Sequence, residues 1–121
     1  MTLNESLVTY KVFKQKKSWD DARSHCMSLG GELAMFANQE ELDLVINVNE
    51  SSLTKYWIGL QDVNSDGTLK WINGGNMEWA NWRGGEPNRS GRCGYMLAKT
   101  GQWGDHHCSV EYGFICKGAR D

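Results

Sequence analysis

Residues 86–108 read Glu86-Pro87-Asn88-Arg89-Ser90-Gly91-Arg92-Cys93-Gly94-Tyr95-Met96-Leu97-Ala98-Lys99-Thr100-Gly101-Gln102-Trp103-Gly104-Asp105-His106-His107-Cys108. Two carboxylates (Glu86, Asp105), one amide (Asn88) and two imidazoles (His106, His107) are gathered around a stretch pegged by Cys93 and Cys108. Hard oxygen donors beside imidazole suit a surface site that takes a metal ion and grips a ligand hydroxyl. Arg92 brings a cation into the same stretch.

Upstream, Val8-Thr9-Tyr10-Lys11-Val12-Phe13 alternates as a strand does. Ser18 is placed to cap a helix whose first turn carries Asp20 and Asp21. Trp19, Ala22, Cys26 and Leu29 give that helix one buried stripe, and Gly30-Gly31 ends it. Asn38 with Glu41 predicts a capping box for a second helix, with Leu42, Val45 and Ile46 on its inner face. Beyond these, Trp57-Ile58-Gly59-Leu60 reads as a core strand and Leu69-Lys70-Trp71-Ile72 as its hairpin partner. Asn73 to Asn88 is a long loop, and three closing strands are expected over 93–97, 102–108 and 112–116. Two helices followed by an antiparallel sheet make the fold class α+β.

The 121 residues form one domain, 1–121, with 40% hydrophobic and 23% charged residues, a globular balance. A net charge of −2 gives no electrostatic case for nucleic acid or an acidic membrane surface. No apolar run approaches the about 20 residues of a membrane span, and no secretory core segment is present. Met1 reads as an expression start on an excised or mature domain. Four cysteines (Cys26, Cys93, Cys108 and Cys116) without a Cys-x-x-Cys pair favour two disulfides, hence a secreted or extracellular domain, and leave three connectivities open. Asn4, Asn49 and Asn88 begin glycosylation sequons, and a glycan on Asn88 would block the proposed site.

Trp57-Ile58-Gly59-Leu60, the Gly-rich loop ending at Trp82, Glu86-Pro87-Asn88, Trp103-x-Asp105-x-x-Cys108 and Gly113-Phe114-Ile115-Cys116 together resemble the C-type lectin-like domain. The resemblance covers essentially the whole chain and all four cysteines. It implies the pairs Cys26–Cys116 and Cys93–Cys108, a cis peptide before Pro87 and a calcium site in the long loop. In sugar-binding members two carboxylates and two or more amides ligate calcium while hydrogen-bonding vicinal sugar hydroxyls. The Glu-Pro-Asn order implies mannose-, glucose- or fucose-type sugars. Carried over, the metal ligands are Glu86, Asn88 and Asp105. The carbohydrate contacts are the same three, with Arg92 and His106 at the rim.

The chain departs from that pattern at two places. Gly104 stands where the family has Asn, and the short segment between Asn88 and Cys93 carries Arg89 and Arg92 but lacks the usual Glu. Calcium prefers six to eight oxygens, so its affinity is expected to fall to about millimolar. Asp62 and Asp66 match two ligands of the family's auxiliary calcium site, but without their partners they are expected only to shape a turn. Zinc needs four ligands, and Glu86, Asp105 and His107 (or His106) offer three. Neighbouring strand residues point to opposite faces, however, so the plainer reading packs one histidine inward and exposes the other. Trp79 and Trp82 are expected to anchor the loop in the core.

Asp105, His106 and Ser109 are too close in one strand to act as a catalytic relay, so no enzyme is expected. The leading expectation is a metal-dependent lectin domain for mannose- or glucose-type glycans, microbial or host, with a place in innate immunity and with oligomerisation supplying avidity. The rival is a metal-independent protein-interaction domain; ice binding on the same scaffold is a third class.

Overall fold

The computed structural model describes residues 9–46, 54–75, 77–88 and 91–118. In chain order its elements are β1 (Tyr10–Lys17), α1 (Trp19–Ser28), β2 (Glu32–Leu33), α2 (Gln39–Ile46), β3 (Lys55–Gln61), β4 (Lys70–Trp71), β5 (Cys93–Leu97), β6 (Trp103–His106) and β7 (Tyr112–Lys117). Val8, where the first strand was expected to begin, and the sequons at Asn4 and Asn49 lie outside the described residues.

Ser18 caps α1: its Oγ accepts from Asp21 N at 3.3 Å, and Asp20 and Asp21 sit at the positive end of the helix dipole. Trp19, Ala22 and Cys26 are buried, as their spacing requires. Gly30 then takes φ +86°, and Gly31 N returns to Cys26 O at 2.9 Å. At α2, Asn38 Oδ1 accepts from Glu41 N at 2.9 Å. The reciprocal bond reaches one residue further out than a standard box, with Glu41 Oε1 accepting from Ala37 N at 2.9 Å.

The strands form one sheet in the order β1-β7-β3-β5-β6, with β2 also on β7 and β4 also on β3. Pairing is antiparallel except between β3 and β7, which run parallel. The last strand therefore closes between the first strand and the middle of the sheet. The disulfides are Cys26–Cys116, tying α1 to β7, and Cys93–Cys108, tying the start of β5 to the chain just past β6. These are the pairs that the family resemblance implies.

Side chains on β5 and β6 divide between two cores by simple alternation. Met96 and Trp103 join Phe36, Ile58 and Trp71 in one, whereas Tyr95 joins Trp19, Trp57 and Phe114 in the other. Two tryptophans of the second core also hold backbone. Trp19 Nε1 donates to Ile58 O at 2.8 Å, and Trp57 Nε1 is shared between Lys17 O and Val110 O at 3.1 and 3.0 Å.

After β3 the chain turns on Asp62, whose Oδ1 accepts from Asp66 N (3.1 Å) and whose Oδ2 accepts from Gly67 N (2.9 Å). Arg92 clasps this turn from β5's side, donating through Nη2 to Asp62 O at 3.0 Å and to Ser65 Oγ. Asp62 N returns a bond to Arg92 O at 2.9 Å. Burial alone would raise the Asp62 pKa; the N–H donors of Gly67 and Asp66 and the Arg92 charge outweigh it and hold the carboxyl below its ordinary 3.8.

Two outcomes follow from this arrangement. Loop-closure entropy gives about 4–5 kcal/mol to the 90-residue link Cys26–Cys116 and about 3 kcal/mol to the 15-residue link Cys93–Cys108. Denaturant unfolding of the paired Cys→Ala variants should reproduce that order, and the reverse order would refute it. A depressed folded-state pKa stabilises above the unfolded value and loses that contribution as pH falls. The melting-temperature gap between wild type and Asp62→Asn should therefore be full above about pH 4 and shrink below it; a gap constant down to pH 2 would remove Asp62 as the cause.

Candidate functional site

The long loop is fastened to β6 by tryptophans and by backbone. Trp79 and Trp82 meet Trp103 edge-to-face, with centroids 5.5 and 5.7 Å away. Trp103 N donates to Asn81 O at 2.9 Å, and Arg83 N donates to Trp103 O at 3.0 Å. Both loop tryptophans are thus half-buried anchors, as expected. Trp103 Nε1 is buried without a hydrogen-bond acceptor among the described residues, and the rings of Trp71, Trp79 and Trp82 stand around its side chain. From this anchor the chain runs through a cis Glu86–Pro87 bond to Asn88.

There the loop closes on Asp105, which is only 1% exposed. Asp105 Oδ1 accepts from Asn88 N at 2.8 Å and Oδ2 from Gly91 N at 2.9 Å. Glu86 lies alongside: Oε1 accepts from Asn88 N (3.2 Å) and Asp105 N (3.3 Å), and Oε2 accepts from Asn88 Nδ2 at 3.2 Å. The two carboxyl groups share a hydrogen bond and divide the proton unequally. Burial, then the Asp105 contact, raise Glu86. Burial also opposes ionisation of Asp105, but the hydrogen bond from Glu86 and the N–H donors of Gly91 and Asn88 hold it below its ordinary value. Asp105 is the carboxylate of the pair, and Glu86 takes the proton first.

Glu86, Asn88 and Asp105 are therefore brought together, as the sequence suggested; the other expected residues go elsewhere. Arg92 is committed to the Asp62 turn. His106 points to the opposite face of β6 from Asp105, where its Nδ1 lies 3.2 Å from Tyr112 Oη. Its pKa is lowered, by burial first and then by Lys55 and His107, against the pull of Asp105. His107 is exposed just beyond the strand. Among the described residues no three His, Cys, Asp or Glu side chains are grouped to hold a metal, so the expected zinc set is not assembled.

Calcium fits little better. Two carboxylates and one amide fall short of six to eight oxygens, and the carboxylate oxygens already accept N–H groups of the loop. An Asn at position 104 would point to Tyr95's side of the sheet and would require that ring to move, because a Cβ there would stand 2.3 Å from Tyr95 Oη.

Sequence reasoning missed the backbone donors of Asn88 and Gly91, which no side-chain motif announces. It also missed Arg83 and Tyr95, whose hydroxyl and Nη1 are 3.1 Å apart. Alternation along 103–106 was the available signal: it puts Gly104 and His106 on Tyr95's side of the sheet. A hollow of about 440 Å³ lined by Lys70, Met77, Trp82 and Pro87 adjoins the loop.

Gly91 is the tightest point of this closure, since a Cβ there would lie 1.8 Å from His106 C. Gly91→Ala should push the segment off β6, break the bond to Asp105 and cost about 3 kcal/mol. Chemical denaturation measures this, and a loss below about 0.5 kcal/mol, the range of neutral surface changes, would contradict the close approach.

Comparison with known proteins identifies the family of the fold. The family model described as the lectin C-type domain matches residues 15–118. C-type mannose receptor 2 of Rattus norvegicus is 34% identical over 116 residues, covering 89% of this chain and 8% of the receptor. This chain thus spans less than a tenth of that relative's length. The cow C-type carbohydrate-recognition domain of CD23, crystallised in the presence of a GlcNAc2Man3 oligosaccharide, superposes with a TM-score of 0.82 at 30% identity, over 94% of this chain and 89% of that one. A calcium-independent type II antifreeze protein superposes with a TM-score of 0.81 at 25% identity, over 93% and 86% of the two chains. The chain belongs to the C-type lectin domain family.

Proposed function

We propose that this domain binds carbohydrate, with mannose- or glucose-type hydroxyl pairs meeting Glu86 and Asn88 at the mouth of the long loop. The observation that carries the reading is the clustering of Glu86 and Asn88 around the buried Asp105, with Asn88 exposed and Glu86 half-exposed. Carboxylate and amide oxygens accept from sugar hydroxyls, and the amide N–H₂ donates to them. Glycan recognition of microbial or host surfaces in innate immunity, outside the cell, accords with the two disulfides.

The metal-dependent form expected from sequence gives way to direct hydrogen bonding. Both carboxylates are engaged by the loop, position 104 supplies no amide, and Arg92 puts its charge on the neighbouring turn. A shallow polar contact buries little surface, so affinity for one sugar is weak and avidity comes from several copies.

A second reading, a metal-independent protein-interaction domain, draws on the same self-bonded loop and on the likeness to a protein described as calcium-independent. A glycan array run with Ca²⁺, with Zn²⁺ and with chelator separates the two. Mannose- or glucose-type glycans should be retained under all three conditions, and Glu86→Gln or Asn88→Ala should weaken them about tenfold, the scale of one lost hydrogen bond. Binding abolished by chelator would restore the metal-dependent form. An array blank under every condition would favour the protein-interaction reading.

A further inference from the structure

The face of β5 and β6 opposite the Glu86–Asn88–Asp105 loop carries a cluster that carbohydrate binding at that loop does not use. Lys55 Nζ stands 4.6 Å from the centroid of the Tyr95 ring and 5.8 Å from that of Tyr112. Arg83 Nη1 donates to Tyr95 Oη at 3.1 Å, so one tyrosine holds a cation at each end. Tyr95 and Tyr112 meet edge-to-face at 6.1 Å, and Tyr112 Oη contacts His106 Nδ1. Among the described residues neither Lys55 nor Arg83 is ion-paired with a carboxylate. A hollow of about 140 Å³ continues from Tyr112 past Lys55 to Lys16, with Glu111 also in its lining as an opposing charge.

Aromatic partners fix a cation without neutralising it, so both side chains keep their charge for an outside anion. Gly104 is part of the construction, because any Cβ there would displace the Tyr95 hydroxyl that Arg83 holds. Glycine at position 104 thus leaves room for the tyrosine on its own face of β6.

We propose that Lys55, Arg83 and Tyr112, with the buried Tyr95 beneath them, form a second binding site, for an anionic glycan whose sulfate or carboxylate group meets the lysine and the arginine. The cations direct the anion, and the half-buried Tyr112 offers a hydroxyl and a ring edge to the sugar, while Tyr95, only 3% exposed, holds both cations in place from below. The patch is small and the chain is net negative at −2, which disfavours the broad basic face that nucleic acid or an anionic bilayer demands. Arg83 comes from the same long loop, its carbonyl accepting from Glu86 N at 3.0 Å, but its side chain and Lys55 lie on the other face and call for no divalent ion.

The test titrates a heparin-derived hexasaccharide into the protein in chelator, by calorimetry and by amide chemical-shift mapping. Binding should weaken with added salt. Lys55→Gln and Arg83→Gln should each cost about fivefold, the scale of one exposed charge pair, while Lys70→Gln on β4 should cost nothing. Shifts on the wild type should centre on Lys55, Tyr95 and Gly104, a readout that stands even if a variant folds poorly. Shifts centred on Asn88 and Gly91 instead, no binding at low salt, or full affinity in the Lys55→Gln/Arg83→Gln pair would overturn the proposal. So would stronger binding to anionic phospholipid vesicles, or equal affinity for a desulfated, fully reduced hexasaccharide that carries no anion.

Discussion

A buried carboxylate organises the functional end of this domain. Ionised Asp105 is expensive to place at 1% exposure unless hydrogen bonds replace its lost hydration. They come from the backbone N–H groups of Asn88 and Gly91, which lie 17 and 14 residues away in the chain. Satisfying one charge therefore brings Asn88 and Gly91 onto the edge of the sheet and fixes where Glu86 and Asn88 emerge. The same requirement explains Gly91, since no side chain fits between that amide and the backbone of His106. Loop shape and site shape follow from a single desolvated group.

The sequence was most legible where one physical rule acts alone. Ser18, Asn38 and Glu41 are helix caps whose side-chain oxygens have few better uses, and they cap. Trp79 and Trp82 carry more apolar surface than a polar loop can leave wet, and both pack on Trp103. Legibility failed where the answer depended on which face a strand presents. His106 stands next to Asp105 in sequence, yet alternation sends it toward Tyr112, behind the sheet. Arg92 is adjacent to Cys93 and near Asn88 in the chain, but the Asp62 turn offers it a carbonyl and a hydroxyl that no local pattern reveals. Backbone donors were illegible for a different reason: every residue but proline has one.

Replacement of metal ligands runs consistently through both turns. At the Asp62 turn the compensating positive charge comes from a guanidinium and two backbone N–H groups. At Asp105 it comes from the N–H groups of Asn88 and Gly91. A divalent ion bound at either place has to displace those donors and pay back their hydrogen bonds, which lowers its net affinity beyond what the missing ligands alone would do. The loop is therefore held in shape by protein groups.

This economy bears on the two faces of β6. Its residues alternate Trp103, Gly104, Asp105 and His106, and each pair serves a different neighbour: Trp103 and Asp105 fasten the long loop, while Gly104 and His106 accommodate Tyr95 and Tyr112. A four-residue edge strand cannot exchange one of these without disturbing the residue across from it, because Tyr95 pairs directly with Gly104 and Cys93 with His106. Restoring an amide at position 104 would evict the Tyr95 hydroxyl and free Arg83. The packing of Tyr95 and Arg83 on one face of this strand therefore depends on glycine at 104, while the fastening of the long loop on the other depends on Asp105.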